Sequence, residues 1–311
     1  MSFDDPSEST HIADGSSAEH PDGETPEIDE GRYLYCLVCA DEDADLEQVG
    51  VDGEPVSLVT ADGIGAVVHP TNELYDSADI AEIRRWLVRH QTVVDAAADR
   101  FGTPIPFQFD TILRGDDDRV REWLRTEHGT ISSALESLTD HWEYRIEVVD
   151  VDPISDERLI EQDDRLGKLQ ARIDDSEDGT AFLLEKKRDH RLEEVRVARR
   201  EQIAADLEAR LAELVREVHT LERSPTVGLA DDVTDGGADG GETYCRLTVL
   251  AHADDEGAVG SVLDQVAATD GLEVRFTGPW PPYTFAPELG GDRSSEESSG
   301  GVDDQPGGRV P

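Results

Sequence analysis

Between Thr180 and Arg223 the chain contains neither glycine nor proline. Nothing in these residues interrupts a helix, and an unbroken one would run about 65 Å at 1.5 Å per residue. Over residues 185–223 acidic and basic side chains balance, ten of each. Glu185/Arg188, Glu193/Arg196, Asp206/Arg210 and Glu213/Arg216 are spaced for ion pairing along a helix surface. Leu207, Leu211, Leu214, Val218 and Leu221 recur in a 4-3-4-3 pattern, a short coiled-coil-like seam. Such a rod either braces two parts of the molecule or offers its apolar stripe to another protein.

Around the rod the pattern predicts an α+β fold with two units, at residues 31–139 and 140–287. Residues 33–40 read as a buried strand. Residues 55–60 and 64–69 form a hairpin about Asp62-Gly63, a dipeptide suited to positive φ. A helix follows to about Arg100, with Ile80, Ile83, Leu87, Val94, Ala97 and Phe101 on its core stripe. A Pro- and Phe-rich crossing leads to a helix over about 116–138. The second unit has a strand at 142–151, a helix at 155–173 and the long helix at 180–223. After a linker at 224–242 come strand 243–251, helix 255–269 and strand 272–277. Strands separated by helices on an antiparallel sheet make each unit a candidate ferredoxin-like variant, with the long helix an insertion in the second. Residues 1–30 and 288–311, polar and acidic, are expected to be disordered tails.

The segment Gly278-Pro279-Trp280-Pro281-Pro282-Tyr283-Thr284-Phe285 stands apart. Its prolines fix φ and remove donors, which excludes it from a central strand. It presents Trp280, Tyr283 and Phe285 from a stiff backbone, and rings of that size must bury against the protein itself or a partner. Its position suggests a clasp that closes the second unit.

The formal charge is −44, and 25 arginines face only 3 lysines, Lys168, Lys186 and Lys187. A carboxylate-rich, lysine-poor surface suits a cytoplasm at high salt, where the Debye length falls to about 3 Å at 1 M. No basic stripe exists to neutralise phosphates, so nucleic acid is not an expected partner. No apolar run approaches the length of a membrane helix, and the acidic N-terminus is unlike a signal peptide; a soluble cytoplasmic protein is expected. The three cysteines argue against a disulfide framework. Cys36 and Cys39, three apart on a strand, point to opposite faces and read as small core residues rather than a metal pair.

No catalytic or cofactor constellation emerges. Gly63-Ile64-Gly65 lies in a hairpin rather than before a helix, and the nine histidines are scattered singly. Asp116-Asp117-Asp118 suits a helix N-terminus without a metal. No catalytic residue, cofactor or metal is expected.

Four stretches carry a resemblance: residues 33–40; residues 90–109 with Pro104-Ile105-Pro106-Phe107; Phe182-Leu183-Leu184-Glu185-Lys186-Lys187; and residues 278–285. Over residues 32–285 the chain resembles the GvpF/GvpL family of gas vesicle proteins, and its length and acidity resemble the haloarchaeal L-type members. It departs from the family's Pro-x-Arg-Phe-Gly pattern at Gln108 and Asp110. The resemblance implies a non-enzymatic accessory protein of vesicle assembly, located in the cytoplasm and at the vesicle. The implied partners are the small apolar shell protein GvpA and other accessory proteins. The candidate contact residues are Leu207, Leu211, Leu214, Val218, Trp280, Tyr283 and Phe285. The alternative is a small-molecule or regulatory binding module with a ligand cleft between the two units.

Overall fold

The computed structural model describes residues 28–221 and 241–289. Most of the tails expected at 1–30 and 288–311, and nearly all of the linker, lie outside the described residues.

Two antiparallel sheets organise the chain. The first contains β1 (Gly31–Cys39), β2 (Ser57–Ala61), β3 (Ile64–Thr71), β4 (Ile105–Pro106) and β5 (Ile112–Arg114). Its order is β2-β3-β1-β4, and β5 pairs with β1 beyond β4 on the same edge. The β2–β3 hairpin turns where the sequence predicts, with positive φ at Asp62 (51°) and Gly63 (84°). One face is covered by α1 (Ile80–Phe101), capped by Asp79, whose carboxylate accepts from the Ala81 amide. Trp86, His90, Val93, Val94 and Ala97 face inward. Ile80, expected on that stripe, is 55% exposed, because it opens the helix ahead of the sheet. The other face lies under α2 (Asp117–Thr126) and α3 (His128–Leu138). These replace the single helix predicted over 116–138: the break falls at Glu127. Asp116 caps α2 through the Arg119 amide, as a carboxylate at a helix start should.

The second sheet contains β6 (His141–Asp150), β7 (Glu217–Thr220), β8 (Glu242–His252) and β9 (Leu272–Trp280), in the order β7-β8-β6-β9. Between β6 and β7 lie α4 (Asp156–Gln162), α5 (Asp164–Asp174) and α6 (Asp178–Ala212); α7 (Glu256–Ala267) joins β8 to β9. The predicted helix at 155–173 is thus two helices. Asp163 ends the first and caps the second, its carboxylate accepting from the amides of Arg165 and Leu166 at 2.9 Å each.

The long helix also differs from its prediction. It stops at Ala212, and residues 217–220 run as a strand on the edge of β8. Val218 lies opposite Val249, the Arg216 amide reaches the Leu250 carbonyl at 2.9 Å, and the Leu221 amide reaches Arg246. The free edge of β8 offers this backbone a ladder, and β-branched Val218 and Thr220 fit it. Tertiary pairing overrides the helical period.

Among the described residues, four clusters fill the interior. The cluster beneath α2 and α3 includes Leu250 from β8 and is flanked by Phe285, Ala286 and Leu289, so residues far apart in sequence share it. α1 covers a second, aromatic cluster. The third joins β6 and β8 to α7 and to the end of α6. A small one, Leu159, Leu166 and Leu192, holds α4 and α5 against α6. Cys36 is buried, whereas Cys39, expected in the core, is exposed at the end of β1.

Candidate partner-binding surfaces

The seven residues singled out from sequence fall in two places. Leu207 and Leu211, on the last turns of α6, are fully buried beside Tyr144, Ile146 and Val249, and Leu214 and Val218 pack on the same cluster. The 4-3-4-3 stripe is therefore not an intermolecular seam along a helix: it crosses a helix, a turn and a strand, and its first two leucines are core residues. The reason is location, since this end of α6 lies over the second sheet.

The aromatic segment is a clasp on its own protein. β9 is an edge strand, which tolerates Pro279. Gly278 has φ 135°, and a Cβ there would come within 2.8 Å of the Tyr144 ring and 2.9 Å of the Glu143 carbonyl oxygen. Trp280 is half-buried opposite Glu143, and Pro281 and Pro282 are buried. The Tyr283 hydroxyl donates to Gln91 Oε1 on α1 at 3.0 Å. The Thr284 amide and hydroxyl donate to the Glu143 carboxylate at 2.7 and 3.1 Å. Phe285 packs on the first-sheet cluster, with His219 of β7 4.8 Å from its ring. Glu143 is 1% exposed; beyond Thr284, Arg145 stands 3.6 Å from it. The clasp thus links β6 of the second sheet to α1 of the first. Arg216 adds a tie, donating to the Ser137 carbonyl and hydroxyl oxygens at the end of α3.

A titratable cluster that the sequence reading passed over lies under α1. His90 Nε2 donates to the Phe107 carbonyl at 3.1 Å, so the neutral ring accepts at Nδ1 from the Tyr33 hydroxyl at 2.8 Å. The Asp110 amide donates back to that hydroxyl. His69 sits between the Tyr35 and Tyr75 hydroxyls, 2.8 Å from each, and the Val51 amide donates to Tyr35. Burial pushes both histidines down to about 4 and Tyr75 up to about 12. The neutral imidazoles and tyrosines hydrogen-bond to one another and are buried. Asp110, where the family pattern has glycine, takes φ 65°, and its carboxylate accepts from the Tyr75 amide. A short polar side chain tolerates this left-handed conformation and can bond locally there.

Two concavities stand out among the described residues. One, about 60 Å³, lies between α4, α6 and the start of β8. The other is an open groove of about 700 Å³ beside β2, lined by residues 44–49, 55–58 and Arg89. Neither lies between the two sheets. No group of three His, Cys, Asp or Glu placed to hold a metal exists among the described residues, and no described helix is long and apolar enough to cross a membrane.

What sequence reasoning missed as a contact surface is the other end of α6. Phe182 and Leu183 are 58% and 62% exposed, while Leu184 turns inward.

The model of the gas vesicle synthesis protein GvpL/GvpF family matches residues 31–287, all but the ends of the chain. The chain belongs to this family. It is 42% identical to gas vesicle protein L1 of Halobacterium salinarum over 265 residues, covering 85% of this chain and 92% of that one. With gas vesicle protein L of Haloferax mediterranei the identity is 36% over 306 residues, covering 89% and 93%. The fold is similar to the crystal structure of gas vesicle protein GvpF from an Anabaena species (TM-score 0.60, 18% identity, 84% of this chain and 100% of that one). It is also similar to GvpF from Microcystis aeruginosa (TM-score 0.56, 16% identity, 83% and 99%). Membership in the GvpL/GvpF family and its α+β fold with antiparallel sheets agree with the sequence reading.

Proposed function

We propose that this family member is a non-enzymatic accessory factor of gas vesicle assembly. It holds the shell protein GvpA and other accessory proteins, either before shell growth or as a minor component of the vesicle. Each sheet runs second-third-first-fourth, and we read both as ferredoxin-like variants, with residues 31–139 and 140–287 as the two units and α4–α6 inserted in the second.

The observation that carries the reading is the filled joint between the sheets. Leu250, Phe285, Tyr283–Gln91 and Thr284–Glu143 occupy the place where a ligand cleft would have to open. That weighs against a small-molecule module and leaves a scaffold whose outer surface meets other proteins. The buried histidine–tyrosine cluster serves the fold rather than a reaction, which fits the same reading.

Deleting the gene in a vesicle-forming cell should abolish mature vesicles by electron microscopy, with restoration by a plasmid copy. Full-length protein should also retain GvpA in molar KCl. Normal vesicles in the deletion strain, or no retention of GvpA, would overturn the proposal.

A further inference from the structure

The charge balance of residues 185–223 conceals an asymmetry. Residues 180–200 hold seven basic and four acidic side chains, whereas the whole chain carries −44. All three lysines stand on the α5–α6 hairpin, Lys168 on α5 and Lys186 and Lys187 on α6. This arm has its own support, because Arg191 donates to Asp163 at 2.7 Å and Leu192 packs against Leu159 and Leu166.

On the outer side of α6, Phe182 and Lys186 are four residues apart, as are Leu183 and Lys187, which places two apolar groups beside two cations. All four are exposed, and Lys186 Nζ stands 5.8 Å from the centre of the Phe182 ring. Most arginines further along α6 are engaged: Arg188 with Asp189, Arg191 with Asp163 and Glu194, Arg196 with Asp156, and Arg200 with Glu242. Lys186 and Lys187 have no such ion pair among the described residues.

We infer that this face of the α5–α6 arm docks an amphipathic helix of another protein, one whose apolar stripe is bordered by carboxylates. The apolar side chains cover Phe182 and Leu183, and the bordering carboxylates reach Lys186 and Lys187. A second copy of this chain is the poorer occupant, because a two-fold contact through this face would gather four lysines into one interface. In molar salt only charges in direct contact count, so apolar burial supplies the affinity and the lysines select the partner. Joined to the accessory role proposed above, this makes the arm the surface that meets the shell protein.

The experiment uses the full chain in 2 M KCl and two designed helical peptides with one leucine face, bordered by Glu in one and Lys in the other. Fluorescence anisotropy should show the Glu-bordered peptide bound at least tenfold more tightly. Phe182→Ser/Leu183→Ser should lose at least tenfold, and Lys186→Glu/Lys187→Glu should reverse the preference. Equal binding of both peptides, or an unchanged affinity in a Phe182→Ser/Leu183→Ser variant with native circular dichroism, overturns the inference. Concentration-dependent self-association abolished by the same substitutions would also overturn it, in favour of a second copy. Retention of GvpA separates the two proposals. GvpA held equally by the apolar variant removes the arm but keeps the accessory role. Peptide selectivity without GvpA retention keeps the arm and removes the shell protein as its partner.

Discussion

The two sheets share a strand order and are filled in different ways. Under α1, the first sheet buries His69 and His90 among Tyr33, Tyr35, Tyr75, Trp86 and Phe109, with every ring nitrogen in a hydrogen bond. The core of the second sheet, under the end of α6 and α7, is built from Leu207, Leu211, Leu247, Val249, Val259 and Leu263. One core depends on the protonation state of two rings; the other depends on apolar area and shape. Buried polar networks specify a single arrangement at the cost of conditions under which every member stays satisfied. An apolar core imposes no such condition and tolerates any pH that leaves the rest folded.

Acidification is the most direct way to sharpen this contrast. Both histidines have folded values of about 4, below the ordinary 6.5, so the unfolded chain takes up protons first as pH falls. Their contribution is complete above about pH 6.5 and declines through the interval down to about 4. It is worth on the order of 3 kcal/mol per ring. Denaturant midpoints in molar salt at pH 7 and 5, followed at Trp86 beside Tyr75, should show the larger part of this loss. An unchanged midpoint would remove the distinction between the sheets.

Leu211→Ala attacks the other core and should cost about 2–5 kcal/mol by leaving a cavity. Its effect should be the same at pH 7 and pH 5, and a pH-dependent cost would break the comparison. Glu143→Ala tests the join between them. It strands the Thr284 amide and hydroxyl, with an expected loss of about 2 kcal/mol and faster proteolysis after Trp280. Phe182→Ser belongs to neither core. Thermal unfolding should move by no more than about 0.5 kcal/mol equivalent, in contrast to Leu211→Ala on the same helix.

Local chemistry was legible from the sequence. The Asp62-Gly63 hairpin, the acidic start of α2, the alternation of β6 and the exclusion of the proline segment from a central strand follow from backbone preferences and periodicity that act within a few residues. So did the family, through short stretches spread along the chain. Less legible was which apolar residues on α6 meet solvent. Leu207 and Phe182 look alike in a helical pattern, and what separates them is that one end of α6 lies over a sheet and the other extends beyond it with α5. The conversion of residues 217–220 to a strand, and the pairing of Thr284 with Glu143 across 141 positions, depend on partners far away in sequence. Periodicity records that a side chain needs burial; only the assembled fold decides whether this protein or a partner supplies it, because the hydrophobic effect rewards removal from water without regard to which surface provides the cover.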